Sequence, residues 1–217
     1  MRILTTILLS GLFLPSAFAG DKELSLDTSW TAINTSSWEV VNGSPLNTVG
    51  LSGGWDIGSN LTAIASVNWG QTGSEHSYPY WYDEENNDQT GPGTEGYVAA
   101  LNVVQVQAGV RTDRLEHTNW VRPYLVSRVS GTLGIMQLDD DTRDSDNVNQ
   151  ITRTGTSFGG MAAIGIAVER PRRSAGPFAV HGELEGGYAL ATALKFEDLG
   201  ELAMHGVHIR AGIGLRF

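Results

Sequence analysis

Val207-His208-Ile209-Arg210-Ala211-Gly212-Ile213-Gly214-Leu215-Arg216-Phe217, the last eleven residues of the chain, decide the fold. Every second residue from Val207 to Phe217 is apolar, and His208, Arg210, Gly212, Gly214 and Arg216 lie between them. A period of two over this length predicts a β-strand with one apolar and one polar face.

Working back from that stretch, the same alternation recurs. Val180, Leu184, Tyr188, Leu190 and Leu194 oppose His181, Glu183, Glu185, Ala189, Ala191 and Lys195, which predicts one long strand over 178–196. Phe158, Ala162, Ile164, Ile166 and Val168 oppose Gly159, Met161, Ala163, Gly165, Ala167 and Glu169. Over 121–136, Leu125, Val129, Leu133 and Ile135 oppose Arg122, Tyr124, Arg128 and Thr132. Over 97–111, Val104, Val106, Ala108 and Val110 oppose Gln105, Gln107, Gly109 and Arg111. Two further alternating runs, 47–57 and 61–69, flank the tight turn Gly58-Ser59-Asn60 and predict a hairpin. A looser run over 24–33 completes eight strands.

The connections alternate in length. Segments 71–96 and 139–153 read as long loops, and 58–60, 112–120 and 171–177 as short turns. In an up-and-down meander, alternate connections fall at opposite ends, so long loops gather at one end and short turns at the other. Outer-membrane barrels carry this asymmetry, with the long loops outside the cell.

Alternation alone also fits a soluble barrel of the lipocalin kind, with its apolar face inward. The polar row argues against that, because it is crowded with Gly and Ala rather than with Lys, Glu and Thr. Small residues suit the narrow interior of an eight-stranded barrel. Charges of both signs sit mid-strand among them, and in a lumen they must pair or be hydrated. The expected lumen network comprises Arg111, Arg122, Arg128, Glu169, His181, Glu183, Glu185, His208 and Arg210, with Glu183 and Glu185 meeting Arg122, Arg128 or Arg210. On the apolar row, Trp55, Trp69, Phe158, Phe178, Phe196 and Phe217 stand near strand ends, as interfacial girdles do.

These features resemble the small bacterial outer-membrane β-barrel superfamily of the OmpA/OmpX type, along nearly all of residues 24–217. The resemblance implies an all-β, eight-stranded antiparallel up-and-down transmembrane barrel in a Gram-negative outer membrane. It implies that Val207, Ile209, Ile213, Leu215 and Phe217 form the terminal signal read by the barrel assembly machinery. It also implies contact with outer-membrane lipid and lipopolysaccharide and a monomeric state. The family offers no shared catalytic set to carry over.

The N-terminus fits the same compartment. Arg2, the apolar run 3–13 and Ala17-Phe18-Ala19 predict a signal peptide over 1–19, leaving 20–217 as the barrel domain. That leader is too short and interrupted for a membrane helix. Of 14 basic residues it removes one, leaving 13 against 24 acidic ones and a net charge of −11. This balance argues against nucleic acid. The absence of cysteine excludes disulfides, thiolate chemistry and Cys-based metal sites.

Other constellations point to less. Asp139-Asp140-Asp141 and Asp144-Ser145-Asp146-Asn147 have the composition of a calcium loop but lack its Gly and closing Glu, so no metal or cofactor is expected. The aromatic run Tyr78 to Tyr82 is either a binding surface or rim packing. A lipid A hydrolase needs a Ser beside a lipid-facing His; His205 lies on that row with no Ser accompanying it. The expected role is structural or surface-interacting through acidic loops, with a narrow channel or lateral-opening transporter as the alternative.

Overall fold

The computed structural model describes residues 22–32, 45–80, 93–112, 121–141, 149–169, 178–197 and 200–217. Eight long strands form a closed barrel: β1 (Lys22–Thr31), β2 (Leu46–Gly58), β3 (Leu61–Tyr80), β4 (Gly93–Thr112), β5 (Val121–Asp141), β6 (Asn149–Glu169), β7 (Ala179–Ala191) and, last in the chain, β10 (Gly206–Arg216). Two short strands, β8 (Leu194–Phe196) and β9 (Gly200–Leu202), pair with each other inside the connection from β7 to β10. Every barrel strand is antiparallel to both neighbours, and β1 closes the ring against β10. Closure is completed at the short-turn end by two backbone bonds of 2.9 Å, Lys22 N–H to Phe217 O and Phe217 N–H to Lys22 O.

The barrel is apolar outside and polar inside. The exposed large residues form a continuous band that includes Leu26, Val67, Val106, Val129 (67% exposed), Ile164, Leu184 and Ile213. Ser25, Asp27, Thr62, Gln107, Arg111, Arg128, Glu183, Glu185 and Arg210 are buried in the lumen. Water cannot favourably cover such a band, whereas lipid tails can. On each strand the band covers about 7–13 residues, bracketing the length of a tilted transmembrane strand. Trp55, Phe178 and Phe217 mark its short-turn border, where the Phe178 and Phe217 rings meet edge to face at 6.2 Å. Trp30, Trp69 and Phe158 mark the other. The lipocalin-like arrangement is thereby excluded: the rows are inside out for it.

Four expectations are corrected. The segments 71–96 and 139–153 are largely strand, because β3 pairs with β4 out to Tyr80–Gly93 and β5 with β6 out to Asp140–Asn149. Their backbone ladder continues there without period-two hydrophobicity in the sequence. The loop tips, with the acidic runs 83–88 and 142–148, lie outside the described residues.

The long strand expected over 178–196 ends at Ala191. Thr192 terminates it: its N–H bonds to Phe158 O at 2.8 Å, and its hydroxyl accepts from Phe158 N–H at 3.0 Å. Leu194 and Phe196 therefore leave the lipid-facing row and are buried, so Phe196 belongs to no girdle. His205 likewise stands in the irregular stretch 203–205 before β10, not on a lipid-facing strand row. The chain re-enters the wall at Gly206, whose φ of +150° and close approach to Ala32 suit a residue without Cβ.

Candidate functional site: the sealed lumen

The lumen has three layers. Toward the short turns, above a cluster at their mouth, lies the ionic layer, and at its centre is Glu185, 1% exposed. Its carboxylate accepts from Arg128 Nη1 at 2.6 Å, Arg128 Nη2 at 2.7 Å, Arg210 Nη1 at 2.8 Å and Tyr124 Oη at 3.0 Å. Glu183 accepts from Arg111 at 3.1 Å and Arg210 at 3.3 Å, and lies 3.2 Å from His181 Nε2. Arg111 also grips Glu23 through both terminal nitrogens, at 2.8 and 2.9 Å, and lies 5.1 Å over the Tyr124 ring. Arg210 reaches Asp27 at 3.0 Å and the Ser52 hydroxyl at 2.8 Å. Bidentate guanidinium–carboxylate pairs of this kind combine charge with fixed geometry.

Local sequence explains why such large groups fit. Five of them are paired across the ladder with a residue that has no side chain: Glu23 with Gly54, Arg128 with Gly109, Tyr124 with Gly165, His181 with Gly214, Glu183 with Gly212. A Cβ at Gly165 would stand 2.5 Å from the Tyr124 ring, and one at Gly54 2.4 Å from the Glu23 carboxylate. The Gly-rich inner row is thus the seat of the charged one.

The nine residues expected in one network divide into three groups. Arg111, Arg128, His181, Glu183, Glu185 and Arg210 come together as described. Arg122 and Glu169 form a separate cluster at the short-turn mouth, where Arg122 pairs with Glu169, and Arg216 bridges Glu169 at 3.5 Å and Asp56 at 2.7 Å. His208 stands higher, its Nδ1 2.8 Å from Thr31 Oγ1. Sequence reasoning missed Glu23, Asp27 and Tyr124 as network members; the inward row Ser25, Asp27, Ser29 of β1 was the available signal. Glu23, His181 and Glu183 bring three potential ligand atoms within 4.8 Å of one another, but Arg111 bonds both carboxylates and supplies the cation there.

The middle layer is polar and holds His208 among hydroxyls and side-chain amides. Ser66 donates to Gln107 at 3.2 Å, Gln107 to Gln105 at 2.7 Å and Gln105 to Thr132 at 3.3 Å, while Ser29 and Thr48 hydroxyls meet at 2.7 Å. The outer layer is apolar: Leu46, Leu101, Val103 and Met136 from the wall pack against Leu194, Phe196, Leu202 and Met204 from the β8–β9 connection. Gly134 and Gly155, cross-strand partners, form the notch that seats it, with Phe196 3.2 Å from a Cβ at Gly134. The hairpin's outer face carries the exposed pair Lys195–Glu201 at 2.8 Å, and this contact raises the Lys195 pKa. Among the described residues, a space within the ionic layer, one between it and the short-turn mouth and one under the apolar cap measure about 10, 10 and 20 Å³, each about the size needed for one water.

No protein-family model matches this chain, and no curated protein does. Solved structures do. The attachment invasion locus protein Ail of Yersinia pestis, solved with the heparin analogue sucrose octasulfate, is 11% identical, with 91% of this chain and 99% of that one covered and a TM-score of 0.47. Neisserial surface protein A is 12% identical, with 91% and 97% covered and a TM-score of 0.46. The N-terminal β-barrel domain of Pseudomonas aeruginosa OprF is 16% identical, with 91% and 98% covered and a TM-score of 0.31. The chain is similar to small outer-membrane barrels. The ladder register and the inverted polarity of its two surfaces carry the transmembrane assignment by themselves.

Proposed function

We propose that this protein is a monomeric integral outer-membrane β-barrel of a Gram-negative bacterium, sealed along its lumen, with a structural or surface-interaction role. The observation that carries the reading is the filled interior: the spaces found in and around the ionic layer and under the apolar cap, among the described residues, measure about 10–20 Å³, and no solute larger than water fits them. Function then falls to the surfaces, chiefly the β3–β4 and β5–β6 hairpins, which extend β3 about 30 Å past the end of β2. On this reading residues 1–19 direct export, and Val207, Ile209, Ile213, Leu215 and Phe217 are read by the assembly machinery. The acidic loops contact lipopolysaccharide, whose phosphates they meet through divalent ions.

Reconstitution in planar bilayers tests the seal. No stable conductance is expected; a steady open channel would instead favour the transport alternative. The proposal also assigns no enzymatic role, so expression should leave the lipid A acylation pattern, read by mass spectrometry, unchanged. Migration that shifts on boiling, in the outer-membrane fraction, is expected of the folded barrel, and soluble periplasmic recovery would overturn the location.

A further inference from the structure

Among the described residues, the exterior wall carries a deep irregularity around β7. Gly186 stands on the outward row of β7, with Ile164 of β6 on one side of the ladder and Ile209 of β10 on the other. A Cβ added there would meet nothing within 4 Å. Around it opens a groove of about 730 Å³, lined by Leu125, Ile164, Ile166, Leu184 and Ile209 and running to Thr112 and Pro123 near the short turns. That volume falls within the range of small-molecule sites. Glu185 and Tyr124 back the groove, but their polar atoms are engaged with each other and with arginines in the lumen. The lining therefore asks for an apolar occupant.

The groove's position names that occupant. It lies within the lipid-facing band, where Ile164 is 66% exposed and Leu184 50%. It begins beside the short-turn border and ends at Gly186, eight residues along β7 from Phe178 and five short of its far end at Ala191. A concave trough in a convex wall takes a slender apolar body, and the slender apolar body that fills this band is a lipid tail. A second barrel presents a convex wall to it and cannot fill it.

We propose that this groove is a binding site for one acyl chain of a phospholipid from the leaflet at the short-turn end. Gly186 makes the site by leaving its floor open, and Ile164 and Ile209 are its banks. This rests on the transmembrane reading above and adds to it a defined lipid position.

The test is native mass spectrometry of the protein extracted from membranes in mild detergent, beside Gly186→Leu and Gly182→Leu. Both glycines face outward with open space before them, a Cβ at Gly182 coming no nearer than 3.9 Å to Gly212 O, but only Gly186 lines the groove. The wild type and Gly182→Leu should retain one phospholipid per chain, and Gly186→Leu should lose it by about tenfold or more. Equal retention by all three, no retained lipid in any, or a dimer abolished by Gly186→Leu would each overturn the proposal. Should Gly186→Leu fail to fold, photolabelling of the wild type by a phospholipid with a diazirine on its acyl chain gives the same answer. Label should concentrate on Ile164, Leu184 and Ile209 over Val49, Val67 and Val106 of the opposite wall. Uniform label around the barrel would overturn the groove while leaving the membrane reading intact; no label at all would sink the membrane reading itself.

Discussion

The two ends of the lumen are closed by different means. At the short-turn end, side chains from the wall itself reach across: Glu23 and Asp27 from β1, Arg111 from β4, Arg128 from β5, Glu183 and Glu185 from β7, Arg210 from β10. At the opposite end, among the described residues, the wall supplies an apolar lining, and the chain folds a hairpin into it. The difference is one of specificity. A charge buried in a lumen is tolerable only when its partner stands on the right strand at the right height, so the ionic layer penalises any slip in register. An apolar cap excludes water without asking for a particular partner, and its strands β8 and β9 form a sheet of their own beside the barrel ladder.

The comparison breaks most directly at Glu185. Glu185→Gln removes a charge that two guanidiniums share and turns an amide N–H₂ toward one of them. Disrupting one partner of a buried ionic cluster costs about 3–5 kcal/mol, and the urea midpoint of the barrel in detergent should fall accordingly. Glu183→Gln should fall less, by about 1.5–3 kcal/mol, because its bonds at 3.1 and 3.3 Å are longer and His181 remains beside it. Equal and negligible shifts in both would show that the ionic layer does not hold the register.

How much of this could be read from the chain divides along the same line. The ionic end was legible because wall strands obey a strict parity: a residue two positions from Glu183 must face the same way, and Glu185 does. Strand count followed from that parity, and inside-out polarity from the Gly, Ala and paired charges on its polar row. The outer end was not, because Leu194 and Phe196 continue the parity of β7 while their surroundings change. Nothing in the alternation marks Thr192 as the place where the ladder stops; only its bonds to Phe158 do so. The protruding hairpins were missed for the opposite reason, since backbone pairing in water leaves no hydrophobic period to detect. Glu23 and Asp27 were passed over because β1 is short and its apolar row is interrupted by Thr28.

The hairpin offers the sharper contrast. Phe196→Ala empties a space that Gly134 and Gly155 were shaped around. A Phe truncated in a core costs about 3–5 kcal/mol, but here the hairpin can leave its seat before the barrel unfolds, so the global midpoint should move less than in Glu185→Gln. The loss should show instead as local opening, with trypsin cleavage after Lys195 accelerated about tenfold or more while the boiled and unboiled gel bands stay distinct. A midpoint that falls as far as for Glu185→Gln, with no gain in cleavage, would mean that the cap and the ladder unfold as one unit and that the two ends do not differ in kind.

The smallest effect belongs to the outer face of that same hairpin. Lys195 and Glu201 meet at 2.8 Å but are 74% and 53% exposed, in water rather than in a lumen. The same chemistry that seals the barrel at Glu185 is here screened and costs side-chain freedom to hold. Lys195→Met should therefore leave both the midpoint and the hairpin's cleavage at other sites, measured with chymotrypsin, unchanged. If it opened the hairpin as Phe196→Ala does, the seat would depend on the ion pair that ties β8 to β9. Its apolar face would then be too weak to close the lumen alone, and the outer end would be as much an ionic closure as the inner one.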